Sequence, residues 1–145
     1  MSENIQIISP SHFEKIKKLG SGGVGRVYLA KEKTSNLEYA IKFIKLDKND
    51  EIIIEKHIKS VHAINHPCIL PIIGYSPPDP AKKRPFSLVT KYQKNGSLLN
   101  LIKSPETFTN LIKMKIISGV VEGLRYLHEF KIKHQHLFLT NVLLD

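Results

Sequence analysis

"LGSGGVGRVYLA", residues 19–30, is the stretch whose reading decides the fold. Gly20, Gly22 and Gly25 stand in a G-x-G-x-x-G pattern. Glycines so spaced let a backbone turn lie close over a ligand and aim N–H groups at phosphate oxygens. The dinucleotide-binding version of this pattern needs a helix straight after its last glycine. Here β-patterned "RVYLA" follows instead, and "FEKIKKLGSG" (13–22) alternates into the turn from Phe13. With "VGRVYLAKE" (24–32) resuming the alternation, the stretch reads as a strand–turn–strand flap.

Outward from the flap, "EYAIKFIKL" (38–46) is a third strand. Its period of 2 sets Ala40, Lys42 and Ile44 on one face and Ile41 and Phe43 on the other. A small residue and a lysine on one face suit a flat base above Ala40 with a phosphate beyond it at Lys42. A buried lysine needs a counter-charge. Glu55, 13 residues on, sits beside Ile54 and Ile58 in "KNDEIIIEKHIKSVHAI" (48–64). Ile54, Ile58 and Val61 there fall at i, i+4 and i+7, predicting a helix capped by Asn49 or Asp50. Taken singly, Lys42 is an ordinary strand lysine and Glu55 an ordinary solvated helix residue. Taken with the glycines, the set favours a nucleotide site.

Two further strands are expected at "CILPIIGY" (68–75) and "PFSLVTKY" (85–92), around a Pro-rich basic loop. "GSLLNLI" (96–102) predicts a short helix and "TNLIKMKIISGVVEGLRYLHEF" (109–130) a long one. Ile117, Val120, Val121, Leu124 and Leu127 form an apolar stripe on the long helix. A strand-rich first half followed by a helical second half predicts an α+β chain in two lobes.

The bulk numbers narrow the function classes. With 41% hydrophobic and 24% charged residues, the 145-residue chain has the composition of a globular domain with a core. No apolar run approaches the ~20 residues of a membrane-spanning helix, so no membrane partner is expected. The start "MSENIQIISPSHFEK" lacks the layout of a secretory signal, and Cys68 is the sole cysteine. A reducing, cytoplasmic setting follows as the expectation. The net charge of +9 comes from 22 basic residues, only three of them arginine. Base readout favours arginine, and no aromatic stripe offers stacking. No specific nucleic-acid partner is therefore expected, although the charge favours anions, nucleotides included. The lysines are scattered, with short clusters at Lys15/Lys17/Lys18 and Lys82/Lys83/Arg84.

Taken in order, these elements resemble the eukaryotic protein kinases, with the tyrosine-kinase-like group as a point of comparison. The glycine loop, "YAIK" as the Val-Ala-Ile-Lys element, Glu55, "INHPCILPIIGY", "LVTKYQKNGSL" and "GLRYLHEFKIKHQHLFLTNVLLD" all fall at family-like spacing from about residue 13 onward. The resemblance implies a small lobe at 13–92, with a five-stranded antiparallel sheet and one helix. An extension at 1–12 would precede it, and the first helices of a large lobe would follow at 93–145. ATP is the implied cofactor. Leu19, Gly20, Ser21, Gly22, Gly23, Val24 and Gly25 would cover its phosphates, and Val27 and Ala40 would sandwich the base. Lys42 would meet the phosphates with Glu55 holding it. Thr90 would take the gatekeeper position, and Lys91 and Tyr92 the hinge.

The same resemblance exposes a departure. The family's His-Arg-Asp-Leu-Lys-x-x-Asn reads "HQHLFLTN" at 134–141. His134 and Asn141 match, but His136 replaces the aspartate that accepts the substrate proton. Gln135 replaces the arginine that ties down a phosphorylated loop, and Phe138 the lysine that balances charge on the transferred phosphate. A neutral imidazole can take a proton but lacks the carboxylate's charge. Losing a cation where charge concentrates costs several kcal/mol in such sites. Asn141 is the one implied Mg²⁺ ligand, and no Asp-Phe-Gly element occurs in the 145 residues. No Cys or carboxylate completes a metal set around the other histidines.

The expectation is a pseudokinase-like fragment that binds ATP without transferring phosphate. Two alternatives stand beside it: an active Ser/Thr or Tyr kinase within a longer chain, and an interaction module without nucleotide. In the 145-residue chain by itself, the stripe on 109–130, without later helices to cover it, is expected to self-associate or to meet a partner kinase or other protein.

Overall fold

A computed structural model describes residues 5–23, 25–47, 50–105 and 108–145. Val24 and Asn49, both named above, lie outside the described residues. The chain divides into two units, one of Met1–Asn65 with Leu70–Tyr92 and one of His66–Ile69 with Gln93–Asp145.

The first unit is built on one sheet. Its strands are β1 (Gln6–Ile7), β2 (Phe13–Gly22), β3 (Gly25–Glu32), β4 (Glu38–Ile44), β5 (Ile72–Ser76) and β6 (Phe86–Lys91), ordered β1-β5-β6-β4-β3-β2. The five strands from β2 to β6 pair antiparallel, as alternation and the tight glycine turn require. The sixth, β1, is an addition to the expectation. It pairs parallel to β5, with Ile8 N–H donating to the Tyr75 carbonyl at 2.8 Å.

Gly74 makes room for this addition. A Cβ there would stand 2.4 Å from Ile8 Cδ1 and 2.7 Å from the Gln6 carbonyl oxygen. Residues 1–12 are thus not a bare extension, because Ile8 and Ile5 pack against the two cores of the unit.

Each face of the sheet carries a core. Phe13, Ala30, Ile41 and Val89 form one; Ile44, Ile58, Tyr75 and Phe86 form the other, against helix α1 (Asp50–His62). Burying such side chains stabilises by roughly 1.5–3 kcal/mol each. Ile58 is the buried residue of α1 and Ile54 packs beside it, whereas Ile52 and Ile53 are exposed. Asp50 does not cap this helix. It is the first helical residue, and its N–H donates to the Asp47 carbonyl at 2.9 Å.

The strand expected at 68–75 begins four residues later. Cys68 N–H donates to His66 Nδ1 and Ile69 N–H to the His66 carbonyl, so the chain turns there before it extends. His66–Ile69 instead belongs to the second unit. A Cβ on Gly123 would stand 3.0 Å from the Cys68 carbonyl oxygen, and the His66 and Tyr126 rings stack at 4.6 Å.

Two helices complete the second unit, α2 (Leu98–Lys103) and α3 (Asn110–Glu129). Ser97 and Asn100 close a reciprocal capping box on α2, and Thr109 Oγ1 caps α3 by accepting from Ile112 N–H. The stripe on α3 divides: Leu127 is buried and Val120 and Leu124 half-buried, but Ile117 and Val121 are exposed. Among the described residues, no helix is long and apolar enough to cross a membrane.

Candidate functional site

Register brings the sequence-predicted residues of the first unit onto one face. Across β3, β4 and β6, Val27 pairs with Lys42 and Lys42 with Leu88; Leu29 pairs with Ala40 and Ala40 with Thr90. Partners directly opposite in a sheet share a face. Val27, Ala40, Lys42 and Thr90 therefore form a patch two cross-strand rows deep. Thr90 Oγ1 lies 3.5 Å from the Ala40 carbonyl, at the outer limit of a hydrogen bond. Tyr92 follows β6 immediately, half-buried, at the end of the first unit.

The glycine turn divides into two kinds of position. Gly25 is required by the chain itself: a Cβ there would lie 2.0 Å from the Phe43 carbonyl oxygen. Around Gly20, Gly22 and Gly23 a Cβ would meet nothing within 4 Å, and none of the three has a positive φ. Nothing described inside the protein calls for glycine there. Leu19, Ser21 and these three glycines are all exposed.

Lys42 and Glu55 are both half-buried but do not pair in this structure. The ion pairs among the described residues are Lys82–Asp79 and those of Arg125 with Glu122 and Glu129. The Glu55 carboxylate acts electrostatically on β5 instead. Tyr75, 3% exposed, has its phenol held above the ordinary value of 10.0, first by burial and then by the Glu55 carboxylate.

This shift has a measurable consequence. Because the raised pKa favours the neutral phenol in the folded chain, its contribution to stability is complete below the ordinary phenol value. It is lost as pH rises through the raised folded value. An absorbance titration should show one of the five tyrosines ionising after the rest, and Tyr75→Phe should remove that late step. Simultaneous ionisation of all five would contradict it.

In the second unit, the 134–141 segment keeps a defined turn. Gln135 has φ +62° and spans a hydrogen bond from His136 N–H to the His134 carbonyl at 2.8 Å. Asn141 Nδ2 donates to the His136 carbonyl, also at 2.8 Å, so the two ends of the loop are tied together. Leu98 N–H donates to the Val142 carbonyl and Leu99 N–H to that of Leu139, anchoring the loop to α2. The His136 and Phe138 rings lie 6.4 Å apart, and Phe138 is exposed where a lysine was expected by resemblance.

Among the described residues, no three His, Cys, Asp or Glu side chains converge as a metal site. Asn141 alone offers one amide oxygen, which does not amount to a Mg²⁺ site: that ion demands near-octahedral oxygen ligation.

Comparison with known proteins agrees with this arrangement. Residues 13–145 match the protein kinase domain. The chain is 36% identical over 141 residues to the L-type lectin-domain containing receptor kinase IV.2 of Arabidopsis thaliana, covering 92% of this chain and 20% of that protein. It is 32% identical over 149 residues to the serine/threonine-protein kinase TNNI3K of Homo sapiens, covering 93% and 17% respectively. To receptor-interacting serine/threonine-protein kinase 1 of Homo sapiens it is 27% identical over 148 residues, covering 100% and 21%. The chain thus spans about one-fifth of the length of these relatives. With a flap, a lysine-bearing strand and a His–Asn loop in family order, this chain belongs to the protein kinase domain family.

Proposed function

We propose that the first unit binds ATP on the face carrying Val27, Ala40, Lys42 and Thr90, and that the 134–141 loop of the second keeps its turn without its chemistry. The observation that carries the binding half is the cross-strand register. It sets a small residue, two β-branched residues and a lysine on one face, in a unit whose exposed turn carries glycines that nothing described inside the chain requires. Lys42 has no ion-pair partner among the described residues, which leaves its ammonium for the phosphates. Glu55, half-buried on α1, is the carboxylate that would hold it there. The Tyr92 backbone would meet the adenine edge, and Leu19 through Gly25 would cover the phosphates. Lone, exposed Cys68 suits a reducing, cytoplasmic setting.

The other half rests on the loop. A base positioned for proton transfer contributes typically 10²–10⁴-fold, and a charge-stabilising group 10²–10³-fold. His136 and Phe138 stand where the family has these groups. The names of the relatives favour the opposite reading, a Ser/Thr kinase active within a longer chain, and phosphate transfer separates the two.

Binding is tested with a fluorescent ATP analogue. Lys42→Met should weaken it by about 1–3 kcal/mol, the range for a charge-assisted bond. Equal binding by native and variant chains, or binding by neither, would remove Lys42 from the phosphates.

A further inference from the structure

The face of the sheet opposite Lys42 holds a cavity of about 620 Å³. Phe43 alternates with Lys42 along β4, and Arg26 pairs with Phe43 while Tyr28 pairs with Ile41, so all three side chains belong to this opposite face. The two basic clusters of the sequence, scattered along the chain, meet here. Lys15 comes from the first cluster and Lys83 and Arg84 from the second, and Arg26 and Lys45 join them. No Asp or Glu stands among the described residues that line the cavity. The neighbouring carboxylate, Asp79, is already engaged by Lys82 at 3.6 Å.

We infer that this cavity, which shares the turn at Ser21, Gly22, Gly23 and Gly25 with the proposed nucleotide site but lies on the other face of the sheet, is an anion-binding site that takes an acidic peptide segment. Five cations around one cavity without a carboxylate repel one another, and an anionic ligand relieves that repulsion. The volume lies in the range of ligand pockets and is far larger than one phosphate needs. Its floor argues against a nucleobase. Lys15 Nζ sits 4.2 Å from the Phe43 ring centre and 4.8 Å from that of Tyr28, so a cation already covers the ring faces a base would stack on. Three lysines are separate point charges, which suit several spaced carboxylates better than one concentrated dianion. Apolar Pro10 and Pro85 at the lining give the peptide's non-charged atoms a surface.

The inference does not depend on ATP binding. Fluorescence anisotropy of a labelled Asp/Glu-rich octapeptide on the full chain is the test. Binding should weaken steeply as salt rises, and Lys15→Glu with Lys83→Glu should lower affinity at least tenfold. Lys59→Glu with Lys103→Glu makes the same change in net charge elsewhere and should leave affinity within about twofold. Equal loss in both pairs would show only the pull of net charge and overturn the site.

Should the Lys15 variant fold poorly, amide chemical-shift mapping of the native chain decides. Shifts on titrating the peptide should cluster at Lys15, Arg26, Tyr28, Lys45 and Lys83, and scattered or absent shifts would overturn the proposal. A labelled single-stranded oligonucleotide of equal charge completes the test. If it binds in this cavity and the peptide does not, the ligand class is wrong.

Discussion

The His136→Asp variant is expected to transfer no more phosphate from ATP than the native chain, with Mg²⁺ or Mn²⁺. Restoring the carboxylate puts back one member of a set that acts together. Phe138 still stands where a lysine would balance charge on the transferred group, and Gln135 where an arginine would hold a phosphorylated segment. Effects of residues acting as a unit are far from additive, so one restored member recovers little of the whole. The loop's geometry supports the same outcome. Asn141 reaches the backbone carbonyl of residue 136, not its side chain, so the turn is indifferent to what side chain stands there. A substitution at 136 changes the chemistry offered without changing the shape. Acid-stable label in the His136→Asp chain, above the native level and abolished by adding Lys42→Met, would show that His136 alone blocked an otherwise working loop.

Gly25→Val is expected to be the most damaging single change in the first unit. Its first added carbon would lie 2.0 Å from the Phe43 carbonyl oxygen and 3.0 Å from the carbon of the same group. That group belongs to backbone paired on both sides: β4 hydrogen-bonds to β3 and to β6, so the strand has nowhere to retreat. Gly25 also has φ +156°, a conformation that L side chains rarely adopt. Overpacking against fixed backbone costs about 1–3 kcal/mol and the backbone conformation a similar amount, for roughly 2–6 kcal/mol together. The urea midpoint should fall accordingly. Gly22→Ala, whose Cβ would meet nothing within 4 Å, should leave the midpoint nearly unchanged while weakening the ATP analogue. If both variants melt alike, the division between structural and ligand-facing glycines is wrong.

That division was not legible in the sequence, where the glycines look equivalent. What was legible came from periodicity. Alternation through Ala40, Lys42 and Ile44 named one face of β4, because a strand's side chains have only two directions to take, and the resemblance added Val27 and Thr90. Ile54 and Ile58 likewise named the inward face of α1, since helical spacing leaves one stripe toward the sheet.

The features that escaped depend on contacts between distant segments. Strand β1 is two residues long, too short to show a period, and exists because Gly74 lets Ile8 come close. The expected strand from Cys68 failed because the His66 imidazole captures the Cys68 N–H, a local bond that propensity does not reveal. Glu55 is half-buried on α1, and its electrostatic consequence falls on Tyr75 rather than Lys42. The basic clusters looked like solvated surface because nothing in their spacing announces that Lys15 and Lys83 line the same cavity.

The central claim is that one chain keeps a nucleotide face and a catalytic loop's shape while lacking transfer chemistry. Its most direct measurement incubates the purified native chain with γ-labelled ATP and either metal, then follows the label both on the native protein and after acid. The account predicts label retained on the native protein, reduced by Lys42→Met, and none surviving acid. Acid-stable label that disappears in the Lys42→Met chain would contradict it.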